Sequence, residues 1–388
     1  MAATRRCPSV LTALLIAGCG GSSSGGAPST ATPSGRGGTA TAAVAPTAGS
    51  GTCAIAQQSA PPASIPAGAA TALAFAPDGR LFWAERSGKV RVWQDGTAHD
   101  FASVSTTTTE NGGGYSERGL LGLAVSPTFG ADHLVYAFYS DVNRTTQHVR
   151  RWRDCAGMAS QPTDIITLPA GGDCCHKGGR LAFGADGMLY VTLGEEHAAS
   201  AAQDTDDVRG KILRYKPDGG VPGDNPFGAQ NPVWAYGFRN PFGIAFAASG
   251  QMAVTSNGPS GDVGSPKTGY DVAFLNVHKG TGYGWPNCYG YGHPLAQSSG
   301  GAGQAQPDWS SEQSTVVPTG AAFIDAAGPS AYAGHLVFCT YGGGMLILTP
   351  GSQHATVSRG PTQCRLDVKQ GPDHAVYVSS TDNIVRLG

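Results

Sequence analysis

The sequence predicts an all-β protein, a six-bladed β-propeller, on three observations. One short strand pattern recurs six times along the chain. Gly is abundant, 58 of 388 residues, while charged residues are only 13%, which favours tight turns and short strands over helices. No convincing amphipathic helix interrupts the repeats. Lys and Arg together number 25 against 27 Asp and Glu, a net charge of −2. That balance argues against a nucleic-acid binder, which would show a basic excess. With 40% apolar residues, the chain is not a disordered solvating polymer over most of its length.

The elements follow in order. Residues 1–18 have the marks of a signal peptide: Arg5 and Arg6, a short apolar stretch over 10–17, then small residues. A run of about eight apolar residues is too short to span ~30 Å of hydrocarbon. Ile16-Ala17-Gly18-Cys19 resembles a bacterial lipobox. That resemblance implies acylation of Cys19 and a membrane-anchored lipoprotein facing the cell surface or periplasm. Residues 19–62 are rich in Gly, Ser, Ala, Thr and Pro and read as a flexible tether. An extracytoplasmic location permits disulfides. Setting aside Cys7 and Cys19 leaves Cys53, Cys155, Cys174, Cys175, Cys288, Cys339 and Cys364. The odd count predicts a free thiol or an intermolecular bridge. A Cys339–Cys364 pair is the one connectivity expected. Cys174-Cys175 reads either as a vicinal disulfide or as two bridges leading elsewhere.

Residues 63–388 carry the repeat. Each copy is an apolar-small-apolar triplet, a turn, and a strand rich in aromatic or branched residues. The triplets are Leu73-Ala74-Phe75, Leu123-Ala124-Val125, Leu181-Ala182-Phe183, Ile244-Ala245-Phe246, Ala321-Ala322-Phe323 and Leu366-Asp367-Val368. Asp78-Gly79 and Asp186-Gly187 follow two of them as hairpin turns, where Gly supplies the positive φ. The copies recur about every 59 residues between Leu73 and Leu366, which suits one four-stranded blade per copy.

Function is sought in the loops at the ring axis. Cys174-Cys175-His176-Lys177-Gly178-Gly179-Arg180 leads into the third copy, and Arg239-Asn240-Pro241-Phe242-Gly243 into the fourth. A His in that place is either a proton acceptor near working pH or a solvated loop residue. Arg239-Asn240 offers a charge and an amide to an anionic, carbonyl-bearing ligand, or forms a salt bridge between blades. Glu117-Arg118-Gly119 opens the second copy, Ala202-Gln203-Asp204 lies in the third, and Asn257-Gly258-Pro259-Ser260-Gly261-Asp262 and Tyr283-Gly284-Trp285-Pro286 lie in the fourth.

These phrases, in this order, resemble the glucose/sorbosone dehydrogenase family over roughly residues 63–388. The resemblance implies a pyrroloquinoline quinone (PQQ) and Ca²⁺-dependent oxidation of the anomeric C1 hydroxyl of aldose sugars to lactones. His176 would take the hydroxyl proton while hydride passes to the quinone. Arg239 would polarise the quinone carbonyl and Asn240 would hold the cofactor. The carbonyls of Gly258 and Pro259 would ligate a calcium touching the quinone, and Asp271 with the Tyr283 carbonyl a second, structural one. Electrons would leave to a membrane acceptor. Gln203 matches a family position open between a structural role and another.

Three departures stand out. Glu117 replaces a Gln near the cofactor. Tyr341 stands where a Lys is expected. Cys364-Arg365-Leu366-Asp367 keeps one Arg, Arg365, of two. The quinone carries three carboxylates, and unpaired buried charge costs several kcal/mol. Lys177 or Lys369 could compensate. The departures leave open an alternative, a non-catalytic propeller that serves as a binding or scaffold lipoprotein without the quinone.

Overall fold

The computed structural model describes Cys53 and residues 55–171, 174–295 and 304–388. The signal peptide, Cys19 and most of the tether lie outside the described residues. Six four-stranded antiparallel sheets follow one another along the chain. Their inner strands are Ala70–Phe75, Leu120–Val125, Leu181–Phe183, Asn240–Phe246, Pro318–Phe323 and Val368–Gln370. Five of these contain the predicted triplets, and the sixth begins at the last residue of its triplet. Inner strands of successive blades touch, and the sixth touches the first, so the ring is closed.

Closure comes from the far end of the chain. Ser64–Pro66 is the outermost strand of the sixth blade and pairs antiparallel with Asn383–Leu387. The second strand of each blade is almost wholly buried, as in Leu81–Glu85 and Leu336–Thr340. Such strands are covered on both faces by neighbouring blades, which is why they read as continuous apolar runs. The outermost strand Thr356–Arg359, at the rim, is exposed throughout. Gly79 takes φ 89°, as its hairpin turn demands. Between the first two blades Phe82, Phe101, Phe129 and Trp152 pack edge to face.

Disulfides join Cys53 to Cys155, Cys339 to Cys364, and Cys174 to Cys175. The Cys339–Cys364 expectation holds, and the Cys174-Cys175 alternatives resolve to the vicinal ring. Cys288 is disulfide-bonded as well, so the expected leftover thiol is not found among the described cysteines.

On the axis lies the guanidinium of Arg180, which precedes the third inner strand. It donates to the carbonyls of Thr71, Phe242 (3.1 Å) and Leu366 (2.8 Å), in the first blade, the fourth, and the entry to the sixth. Asp367 stands 3.9 Å away and itself accepts from the amide of Leu73 at 2.8 Å. Below Arg180 the channel is filled by Ala72, Leu123, Ile244 and Ala321 to about 10 Å³. Above it the loops open into a hollow. The guanidinium is therefore a floor. Burial lowers its pKa while Asp367 opposes the shift, and arginine stays charged regardless. Arg180→Leu leaves Asp367 without this neighbour and three carbonyls short of a donor. The expected loss is about 3–5 kcal/mol, read as a lowered denaturant midpoint. An unchanged midpoint would contradict the bridging role.

Candidate active site

The segments entering the second to fifth blades converge around a cavity of about 270 Å³. His176, Arg239, Asn240, Glu117, Gly258, Pro259 and Asp271 all line it. The sequence-predicted base and guanidinium thus face one hollow.

His176 is buried and sits at φ 58°, a left-handed conformation that turns the chain toward the axis before Gly178 and Gly179. Its Nδ1 hydrogen-bonds Oε1 of Glu195. Glu195 lies just past strand Leu189–Leu193, beyond Gly194. A Cβ on Gly194 would strike the His176 carbonyl and crowd Oδ1 of Asn240 (3.1 Å), so only glycine lets these segments meet. The amide of Glu195 donates to the carbonyl of Arg239 at 2.8 Å. Among the described residues Nε2 of His176 has no partner, and that nitrogen is the one left for a ligand. His197 stacks on the other side, with ring centroids 4.2 Å apart. Burial first, and then the charge of Arg239, push His176 down to about 3. Burial raises Glu195 to about 7, against the opposing pull of Arg239. The imidazole is therefore neutral across the working range.

Arg239 is buried, with Nε 2.7 Å from Asp262 Oδ2 and Nη2 2.7 Å from Ser260 Oγ. Its guanidinium lies over Trp285 at 5.6 Å. The ion pair is formed within the fourth blade, and Arg239 still lines the cavity. Burial works to raise Asp262, but Arg239 outweighs it and holds the carboxyl at about 2. Gln203 donates to the Trp285 carbonyl at 2.5 Å, which gives it a structural part beneath Arg239.

Asn240 ties blades together. Its Oδ1 accepts from the Gly178 amide (3.1 Å), and its Nδ2 donates to Glu117 Oε2 (3.1 Å) and Asn257 Oδ1 (3.0 Å). Both amide hydrogens are engaged, so its observed role is to position His176's loop and Glu117. Glu117 also accepts from the Lys177 amide at 3.2 Å. Asp271 is likewise engaged: Oδ1 accepts from Gly258, and Oδ2 from Val316 and Val317, all between 2.8 and 3.0 Å. It pins the turn that presents the Gly258 and Pro259 carbonyls. Those two carbonyls accept no hydrogen bond among the described residues. Tyr283 does not line this cavity. It stacks on Phe238 (4.8 Å) beside a smaller pocket behind Arg239.

Tyr341 lines an adjoining hollow of about 70 Å³ with Tyr115 and Glu117. Arg365 lies over its ring at 4.9 Å and lines neither hollow. The suggested compensating lysines face elsewhere. Lys177 is buried 3.4 Å from Glu196, and Lys369 donates to the Ala321 carbonyl at the lower channel. The lysine that does line the cavity is Lys267, on the loop between Asn257 and Val272. Sequence reasoning missed Glu195, His197 and Lys267. An acid just past the strand paired with Leu181–Phe183 was the available signal for Glu195.

Ring and cavity together define a β-propeller with a neutral imidazole, backed by a carboxylate, set beside a guanidinium. The chain belongs to the glucose/sorbosone dehydrogenase family, whose model matches residues 68–387. It is 30% identical over 275 residues to aldose sugar dehydrogenase YliI of Escherichia coli K12, covering 66% of this chain and 70% of that one. Quinoprotein glucose dehydrogenase B of Acinetobacter calcoaceticus is 29% identical over 276 residues, 61% of this chain and 55% of its own length. The apo structure of the soluble aldose sugar dehydrogenase of E. coli superposes with a TM-score of 0.70 at 26% identity, covering 82% of this chain and 95% of that one.

Asn240→Ala leaves the Gly178 amide and Glu117 each short of a buried partner. Its expected cost is about 1–3 kcal/mol in chemical denaturation. Wild-type stability in that variant would refute the positioning role.

Proposed function

We propose that this chain oxidises the anomeric C1 hydroxyl of aldose sugars to the lactone, with pyrroloquinoline quinone and Ca²⁺ as cofactors. The observation that carries the reading is Nε2 of His176, unpartnered at the cavity while Nδ1 is held by Glu195. The donor set suits such a group. Arg239 and Lys267 are cations at the wall, and the Gly258 and Pro259 carbonyls are hard oxygen donors of the kind calcium takes. Glu117 and Asp271 balance the two cations, and Asp262 adds a further negative charge behind Arg239. A divalent cation fits that surplus and would help admit a polycarboxylate. The quinone, when bound, supplies a two-electron acceptor. The relative named a quinoprotein supports that assignment.

The chain's own residues do the rest. His176 Nε2 accepts the proton of the sugar hydroxyl, and Glu195 fixes the tautomer that leaves Nε2 bare. Ionised Glu195 accepts from Nδ1–H. Protonated Glu195 donates to Nδ1 instead, which forces the imidazole proton onto Nε2 and blocks proton uptake. Arg239 presents positive charge at the same wall, steadied by Asp262. Lys267 and Arg239 bind carboxylate groups. Acylation at Cys19 would hold the domain at an extracytoplasmic membrane face, within reach of a membrane electron acceptor. The absence of a charge at Tyr341 and the distance of Arg365 from the cavity favour the second reading, a propeller that binds without catalysis.

Reconstitution with quinone and calcium, followed by dye reduction with aldoses, should give turnover. His176→Ala should lower the rate by about 10²–10⁴. No turnover despite saturated binding would sink the enzymatic reading, and no quinone binding at all would support the scaffold. As pH rises through about 7, Glu195 ionises and the rate should climb. Glu195→Gln should remove that limb, and a limb that survives assigns it elsewhere. Lys267→Ala should weaken quinone binding about tenfold or more in a calorimetric titration, the scale of a charge-assisted hydrogen bond. Unchanged affinity would dismiss Lys267 as an anchor.

A further inference from the structure

Another constellation borders the cavity. Sγ of Cys174, Sγ of Cys175 and a ring nitrogen of His197 lie within 4.8 Å of one another. Among the described residues no other trio of His, Cys, Asp or Glu side chains meets that distance. Cys175 and His197 line the cavity itself, and His197 is the ring stacked on His176. Glu196 and His197 take φ of 52° and 61°, two successive left-handed residues that turn the His197 ring back over the site. None of these groups has a part in the proton transfer assigned to His176 and Glu195.

We propose that reduction of the Cys174–Cys175 disulfide creates a three-ligand site for a thiophilic divalent cation such as Zn²⁺ or Cd²⁺ at the wall of the cavity. Two thiolates and an imidazole are the donor set such ions prefer over hard oxygen-seeking ions. With metal–sulfur bonds of ~2.3 Å and metal–nitrogen bonds of ~2.0 Å, two ligands of a tetrahedral ion stand roughly 3.3–3.8 Å apart. The His197 nitrogen lies within 4.8 Å of both sulfurs, so a modest side-chain shift brings it into range, and the two sulfurs part once their bond is broken. A dithiol supplies the electrons. One of its thiolates attacks a sulfur and breaks the S–S bond, the second thiol closes the reductant's own disulfide, and two cysteine thiols result. Binding the ion then releases two protons. A disulfide oxidant reverses the sequence. The bound ion would sit on the wall that Cys175 and His197 contribute, at the edge of the His197 ring, with its fourth position turned to solvent or to a sugar hydroxyl.

The other disulfides offer no such site. Cys339 and Cys364 are fully buried, and no described group of three places a third ligand beside them or beside Cys53–Cys155.

The test uses the full chain, reduced with excess dithiol, freed of reductant without air, and titrated with Cd²⁺. One ion per chain should bind with a thiolate-to-cadmium charge-transfer band in the ultraviolet. The oxidised chain, a folded control that needs no substitution, should show no band. Cys174→Ser/Cys175→Ser, reduced in the same way, should also show none, which excludes the other cysteines as the source. His197→Ala should weaken binding about tenfold or more, as loss of a ligand or its support does elsewhere. A reduced chain without the band, or a band that survives in the double serine variant, overturns the proposal. These readouts do not depend on turnover, so they stand or fall apart from the dehydrogenase reading.

Discussion

A charged group cannot be left bare in the middle of a protein, and Arg180 is charged, buried and on the axis. Its needs are met only when carbonyls from the first, fourth and sixth blades arrive together. One side chain therefore demands the closed ring that the Ser64–Pro66 strand completes. It also divides the channel. Below it small apolar side chains meet, and above it the entry loops have room to diverge. Arg180 floors the hollow beside Tyr341 and Glu117 that adjoins the site.

In the neighbouring cavity the electrostatics favour an uncharged imidazole. Burial and the guanidinium of Arg239 both penalise protonated His176. Asp262 keeps Arg239 in place and tempers its charge. Glu195 is held by backbone contact to the Arg239 carbonyl, so the base, its orienting carboxylate and the neighbouring cation form one unit. Asn240 couples that unit to Glu117 and Asn257 through fully used amide hydrogens. Asn240, read from the sequence as a cofactor contact, lines the cavity and also holds three blades in register.

The architecture was legible because it repeats: six triplets mark the inner strands, and Asp-Gly marks hairpins. His176 and Arg239 were legible because both lie on the segments that lead into an inner strand, Arg239 immediately before Asn240 and His176 a short way before Leu181. Glu195 was not, since its contact depends on Gly194 admitting the His176 loop, a matter of van der Waals space. Lys267 was missed for another reason. It comes from a long excursion between Asn257 and Val272, whose path no strand register fixes. Lys177 and Lys369 looked suitable by charge, but Lys177 turns to Glu196 and Lys369 to the Ala321 carbonyl, both away from the cavity. Asp271 lines the cavity, while Tyr283 lines the smaller pocket behind Arg239.

The central claim is that His176 is neutral, with its proton on Nδ1 toward Glu195 and Nε2 open to the cavity. Nitrogen-15 NMR of histidine-labelled protein, with His176 assigned by substitution, observes this directly. Above neutral pH the account predicts a protonated, pyrrole-type Nδ1 and a bare, pyridine-type Nε2. An imidazolium signal, or a proton resident on Nε2 under those conditions, would contradict it.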